Sequence, residues 1–144
     1  MGSKGELLNL FTLEVHDFIV SQAHNQAMAG FTTTLGNQLD ELDTLTAELE
    51  NCAKLDANEV GAASVDYLYY TGYVTLAYLW ARAAAASSEK LALDDCVNPE
   101  FYKAKIQTAQ FFFDRLLPRT KGLYATAVSG ADNLMAMDVE AFAF

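Results

Sequence analysis

The sequence predicts an all-α fold: an up-down antiparallel four-helix bundle with a Pro-broken last helix and a docked C-terminal tail. Three observations carry this. Long segments repeat apolar residues every three and four positions, the spacing of one face of a helix. The segment from Tyr67 to Ala81 holds that spacing through an uninterrupted uncharged run and reads as a helix rather than a strand. Only 8 Gly and 2 Pro interrupt 144 residues, 52% of which are hydrophobic, so the chain has the means to bury one sizeable core.

The first helix is expected from Gly5 to about Ala23, with Leu8, Phe11, Val15, Phe18 and Gln22 in line and Leu7 and Ile19 beside them. A second runs from about Thr32 to Leu55. Its apolar positions Leu35, Leu39, Leu42, Leu45, Leu49 and Cys52 step by four and three, close to a coiled-coil seam. Asp40, Glu41, Asp43, Glu48 and Glu50 occupy the other positions and are expected to face water. The turn Asp56–Ala63 follows, with a helix start near Asn58 and Glu59.

The organising helix spans Ser64 to Ala86. It contains fifteen consecutive uncharged residues, Tyr67 to Ala81, and a 3.6-residue period through Val65, Leu68, Tyr69, Gly72, Leu76, Leu79, Trp80 and Ala83. Its opposite face is apolar too, so neighbours are expected on most sides. Gly72, Ala77 and Ala81 would let another helix approach closely. A membrane span needs roughly 20 apolar residues, and Asp66 and Arg82 bound this run too closely. Arg82 suits the carboxyl end of the helix dipole and a structural salt bridge.

Asn98, Pro99 and Glu100 mark the clearest start: a cap, a proline at the first helical position and an acid at the positive end. Phe101, Tyr102, Ile106, Ala109, Phe112, Phe113 and Leu116 then form a wide apolar face. Pro118 ends or kinks that helix, and a last helix from Arg119 to about Ala131 buries Leu123, Tyr124, Ala127 and Val128. Leu134–Phe144 is apolar enough to dock. Residues 6–144 thus form one helical domain, and residues 1–5 read as a disordered start or cloning scar.

Chemistry is sparse. His16 and His24 stand eight residues apart, about 12 Å along a continuous helix, and neither has a Glu three residues before it, so no metal site is predicted. Cys52 and Cys96 make neither a disulfide framework nor a ligand pattern, and the acids beside Cys96 disfavour its thiolate. No Gly-rich phosphate loop or nucleophile arrangement is visible. The tyrosines from Tyr67 to Tyr78 suit a core, with an acyl or flavin pocket as the sharper alternative. A formal charge of -10 argues against nucleic acid. The charge is segregated: residues 1–60 hold ten acids and two bases, whereas Pro99–Lys121 holds five bases and two acids. Lys103, Lys105, Arg115 and Arg119 are therefore candidate docking residues for an acidic surface, or neutralise the second helix. Two free thiols and the lack of a basic leader suggest the cytoplasm.

Three blocks in order, VDYLYYTGYVTLAYLWARAAAA, FYKAKIQTAQFFFDRLLPRT and GADNLMAMDVEAF, resemble the extra carboxyl-terminal domain of a bacterial subgroup of acyl-CoA dehydrogenases. That subgroup includes methylthiopropionyl-CoA dehydrogenases. The resemblance covers residues 6–144, with Tyr67 and Gly72 matching in the first block and Tyr102, Lys105 and Arg115 to Arg119 in the second. It implies a non-catalytic accessory domain for packing, docking or oligomerisation, beside a parent flavoprotein that desaturates acyl-CoA thioesters in lipid metabolism. The implied partner is the dehydrogenase body or a second copy of the domain. The catalytic Glu and the FAD contacts belong to the body, so this chain is expected to hold no catalytic residue and no cofactor. Tyr67, Gly72, Trp80, Arg82, Pro99 and Pro118 are left with structural roles. A stand-alone homodimeric or adaptor protein of the same fold is the alternative, and a small acyl-ligand bundle a further one.

Overall fold

The computed structural model describes residues 5–143. The expected disordered start therefore lies, apart from Gly5, outside the described residues. Helix α1 spans Glu6–Ser21, α2 Ala29–Leu55, α3 Asn58–Leu91, α4 Pro99–Phe111, α5 Thr120–Ala127 and α6 Asp132–Met135. Single-turn 3-10 segments at Gln26–Met28, Leu117–Arg119 and Val139–Phe142 and a π-helical turn at Phe112–Leu116 join or extend them. No strand occurs among the described residues, and the all-α helical bundle stands as expected.

The starts and stops have local causes. Gly5 enters α1 with φ 82°, a conformation that costs glycine little. The α2–α3 turn is much shorter than the expected Asp56–Ala63. Asp56 Oδ1 accepts the Asn58 N–H at 2.9 Å, and α3 starts there, running through Gly61. Helix α3 also outlasts Ala86, so Arg82 lies in its interior and not at its negative end. At α4, Pro99 takes the first turn as expected. Asn98, however, caps only with its backbone: its φ is 65° and its side chain makes no cap bond. A following proline disfavours the right-handed region, and asparagine tolerates the left-handed one. Pro118 breaks the helix from a distance, because its ring conflicts with the carbonyl four residues earlier. The ladder widens into the π turn at Phe112 and tightens to 3-10 at Leu117 before α5 resumes.

The chain divides into two compact units. The first comprises Met1–Asp40 and Tyr73–Pro118. Its core sets Leu35 and Leu39 of α2 with Val74, Ala77, Ala81 and Ala84 of α3, all essentially without solvent contact. Aromatic edges close it. Phe11 and Phe18 of α1 meet the Tyr78 ring at 6.2 and 5.6 Å, Phe31 of α2 meets Phe113 at 4.9 Å, and Tyr73 meets Phe112 at 6.3 Å.

The second unit comprises Glu41–Gly72 and Arg119–Phe144. Leu42 and Leu45 of α2, Ala63 and Tyr70 of α3, and Thr120, Ala127 and Ala131 are its buried residues. Gly130 takes φ +83° after α5, and the turned chain presents the Ala131 N–H to Glu59 Oε1 at 3.1 Å. Beyond that point the expected docking of the tail fails. Leu134, Met135, Met137, Val139 and Phe142 are all exposed. Pieces of one helical turn bury little area, and the Glu59 anchor lies upstream of them.

Two further expectations are corrected. Cys52 ends the apolar seam of α2 in the sequence, yet it is exposed: the seam is buried from Leu35 to Leu45, half-covered at Leu49 and bare after it. Gly72 is exposed as well, with nothing within 4 Å of where a Cβ would stand. The small residues that let α3 pack are Ala77 and Ala81, both fully buried. Replacing Ala77 by Leu is therefore expected to cost about 1–3 kcal/mol by overpacking. Gly72→Ala is expected to stabilise the dilute chain by about 0.5–1 kcal/mol through helix propensity. Urea midpoints of the two variants check the pair, and the opposite order would place the close contact on the Gly72 face.

Candidate interaction surface

Helix α3 has two apolar faces, and only one of them is covered. Counting about 100° per residue, Ala63, Tyr70, Val74, Ala77 and Ala81 cluster opposite Gly72, and these are the buried residues. Around Gly72 lie Val65, Leu68, Tyr69, Leu76 and Leu79. Their exposures are 60%, 69%, 59%, 46% and 49%. This is the period read from the sequence, where neighbours are expected on most sides of the helix; the described residues cover only the face behind it. Helix α3 packs through the alanine-rich face behind it, where small side chains bring the neighbouring backbones close, and the larger residues remain in solvent.

The buried face of α3 carries phenols, and each buried hydroxyl has a partner. Tyr70 is fully buried and donates to Glu41 Oε2 at 3.0 Å. Tyr78 donates to Glu14 Oε1 at 2.8 Å, Tyr124 of α5 donates to Glu48 Oε2 at 2.8 Å, and Tyr67 shares a 2.8 Å bond with Thr46. Among the described residues no buried side-chain polar atom lacks a partner. Burial pushes the Tyr70 phenol well above its ordinary pKa, and the Glu41 carboxylate adds to it. Burial and Glu14 raise Tyr78 against the opposing Arg82 charge, while the bond to Glu48 is the chief cause for Tyr124. Sequence reasoning assigned Glu41 and Glu48 to solvent, and both are exposed, but it did not foresee their phenol partners. Glu41 and Glu48 do sit on the wet flank of the α2 seam, adjacent to Leu42 and one turn beyond Leu45, and from there they reach inward to phenols. That flanking register was the available signal.

The other singled-out residues fall into place individually. Arg82 sits 5.4 Å over the Tyr78 ring with its Nη1 3.9 Å from Glu14, both side chains exposed, so the salt bridge exists and contributes little. Lys103 pairs with Glu100 at 2.8 Å, which raises its pKa. Lys105 lies 5.9 Å over Trp80 and 5.3 Å over Phe101. Two residues apart on α4, Lys103 and Lys105 point about 200° from one another, so they do not make one stripe. Arg115 is exposed on the π turn and Arg119 at the end of the following 3-10 turn. His16 and His24 are exposed, and His24 lies beyond the end of α1. No group of three metal-ligating side chains occurs among the described residues, and no helix there is long and apolar enough to cross a membrane.

A cleft of about 210 Å³ opens in the first unit between Ala27, Gly30, Phe31 and Thr34 on one side and Gln110, Phe113 and Asp114 on the other. Gln110 donates to Asp114 at 2.9 Å, which leaves a carboxylate at the mouth. A dinucleotide cofactor needs a larger enclosure, toward the upper part of the roughly 300–1,000 Å³ range of ligand sites, and donors for its pyrophosphate. The cleft does not fit a flavin dinucleotide.

The model of the acetyl-CoA dehydrogenase C-terminal like family matches residues 11–138. The chain belongs to that family. No curated protein matches it. The matched span runs from Phe11, whose ring meets Tyr78, to Asp138, just before the last 3-10 turn, so it takes in both units and the bare face of α3.

The phenols of this family member predict an alkaline limit. A tyrosine whose pKa is raised by folding contributes stability that is fully present below its unfolded value, about 10, and is lost as pH rises toward the folded value. Urea midpoints are expected to hold up to about pH 9 and fall between pH 10 and 11. Tyr70→Phe is expected to start lower at pH 8 and to fall less steeply. Parallel curves for parent and variant would remove Tyr70 from the transition.

Proposed function

We propose that this chain is a helical accessory domain of an FAD-dependent acyl-CoA dehydrogenase, of the methylthiopropionyl-CoA dehydrogenase-like subgroup, working in the bacterial cytoplasm. The observation that carries the reading is membership of the C-terminal like family across residues 11–138. Desaturation of an acyl-CoA needs a carboxylate set against the alpha carbon and a flavin ring on the far side to accept the hydride. In this reading both belong to the dehydrogenase body. Glu14, Glu41 and Glu48, exposed at the edge of the core, accept hydrogen bonds from phenols and serve the fold. What the domain supplies is surface: helical faces for packing, docking or assembly.

The docking residues of this reading are Lys103, Lys105, Arg115 and Arg119, which offer positive charge to an acidic area of the body. Of these, Lys105 is held over two aromatic rings, so its charge is displayed from a fixed position. Exposed charges act over about 10 Å at 0.1 M salt and less above it. Titrating the chain against the separately produced body is expected to show binding that weakens as salt rises. A variant with all four changed to Gln is expected to bind several-fold more weakly at low salt. Equal affinities would refute the electrostatic part, and no binding at either salt would refute docking. In the same preparations the chain is expected to be colourless. A stoichiometric yellow flavin band that bleaches on adding an acyl-CoA would make it a catalytic partner.

A further inference from the structure

We propose that the bare face of α3 is a homotypic contact, in which two copies of this chain pair antiparallel across a two-fold axis passing beside Gly72. The inference goes beyond docking on a dehydrogenase body and does not depend on it.

Apart from Tyr69, whose counterpart three residues beyond Gly72 is Thr75, the face reads alike in both directions from Gly72. Seven residues away stand Val65 and Leu79, four away Leu68 and Leu76, and eleven away two small residues, Gly61 and Ala83. Antiparallel pairing about that centre sets Val65 against Leu79 of the other copy, Leu68 against Leu76, and Gly72 against itself. A two-fold contact demands this of a surface, because each residue must suit the one at the mirrored distance. A different partner imposes no such condition. The seven-residue repeat of Val65, Gly72 and Leu79 also keeps a seam facing its neighbour along several turns, the geometry of helices crossing at about 20°.

Gly72 is the one position where a side chain would hold the axes apart. Nothing lies within 4 Å of its missing Cβ, and the same holds at Gly61, so neither glycine is required by packing within the chain. Bare backbone at the centre permits an axis separation at the short end of the 8–10 Å range. Charge does not oppose the contact locally. Asp66 and Arg82 lie about 120° and 80° around the helix from Gly72, leaving the face uncharged on a chain of formal charge -10.

The area suits a weak, specific dimer. The five larger residues leave on the order of 500 Å² bare, at the upper end of the largest patch on an ordinary monomer. Two copies would bury on the order of 1,000 Å², near the lower bound of specific interfaces. An interface of that size belongs with weak, transient associations, and its area does not by itself fix the affinity. In a larger assembly that already holds two copies together, the raised effective concentration would close the contact fully. Salt separates this surface from a basic docking site. Screening lowers the repulsion between two acidic chains, so self-association is expected to tighten as salt rises.

Sedimentation equilibrium of the chain alone, from about 10 μM to 1 mM, is expected to show a reversible monomer–dimer equilibrium, as befits a small interface. Leu76→Asp is expected to raise the dissociation constant about 100-fold or more, since the two-fold axis places the charge at two sites in one interface. Val65→Asp, at a more exposed position, is expected to do the same and covers the case in which the first variant fails to fold. Orientation is read in a Cys52→Ser/Cys96→Ser background under mild oxidation. Gly72→Cys is expected to cross-link, because its Cα atoms approach within about 4–6 Å. Val65→Cys is not, because antiparallel pairing holds its two copies about 21 Å apart along the axis. A monomer throughout the range, a dimer indifferent to both charged variants, or cross-linking at Val65 instead of Gly72 would each overturn the proposal.

Discussion

The second unit depends on one hydrogen bond whose donor it cannot leave unpaired. Tyr70 is wholly out of solvent, and a phenol hydroxyl buried without a partner would cost a few kcal/mol. Glu41 removes that cost and stays at the surface while doing so. The carboxylate keeps its hydration on one side and accepts from Tyr70 on the other. The ring then anchors its neighbours: Tyr124 meets it edge-on at 6.4 Å, and the Tyr124 hydroxyl returns to α2 through Glu48. One face of α2 is thereby tied to α3 and α5 by contacts whose geometry is fixed at the oxygen. Leucines alone would tolerate a slipped register, and these bonds would not.

The first unit repeats the device with different residues. Tyr78 is buried up to its hydroxyl, which meets Glu14, while Phe11 and Phe18 enclose the ring. Arg82 approaches both the ring and the carboxylate from the solvent side. Acid on the outer flank, phenol within and alanine behind describes how α3 meets α1 in one unit and α2 in the other. Part of the large negative charge of this chain is thus structural. Carboxylates that look like a solvated surface are acceptors for buried hydroxyls.

That double use explains which features were legible. The α2 seam from Leu35 to Leu45 could be read because leucines at steps of three and four fall on one face of a helix with charged residues around it. Pro99 and Pro118 could be read because a missing N–H has local consequences. Around α3 the periodicity identified a helix, but the neighbours expected on most sides cover one face and leave the other bare. Both faces are apolar, and hydrophobicity favours the larger side chains. Close packing favoured the smaller ones, so alanines went inside with the tyrosines while Leu68, Leu76 and Leu79 stayed out. Gly72 was misjudged for the same reason, as a glycine in an apolar run signals a close neighbour without saying whether it is in the same chain. The exposed tail after Ala131 was misjudged because its apolar composition outweighed its lack of regular structure longer than one turn.

An uncovered apolar face is costly for a protein to keep, since it invites indiscriminate association. Three properties of α3 limit that cost. The face is narrow, confined to one side of a helix whose flanks carry Asp66 and Arg82. It sits on a strongly acidic chain, which holds copies apart at long range while leaving the contact itself uncharged. It has a glycine at its centre, so full contact requires a backbone approach that few arbitrary surfaces offer. Discrimination here comes from geometry: many surfaces can touch Leu68 and Leu76, and few can also fill the space over Gly72. A surface built that way separates partners by distance of approach, and the closest approach belongs to a helix that also lacks a side chain at the crossing point.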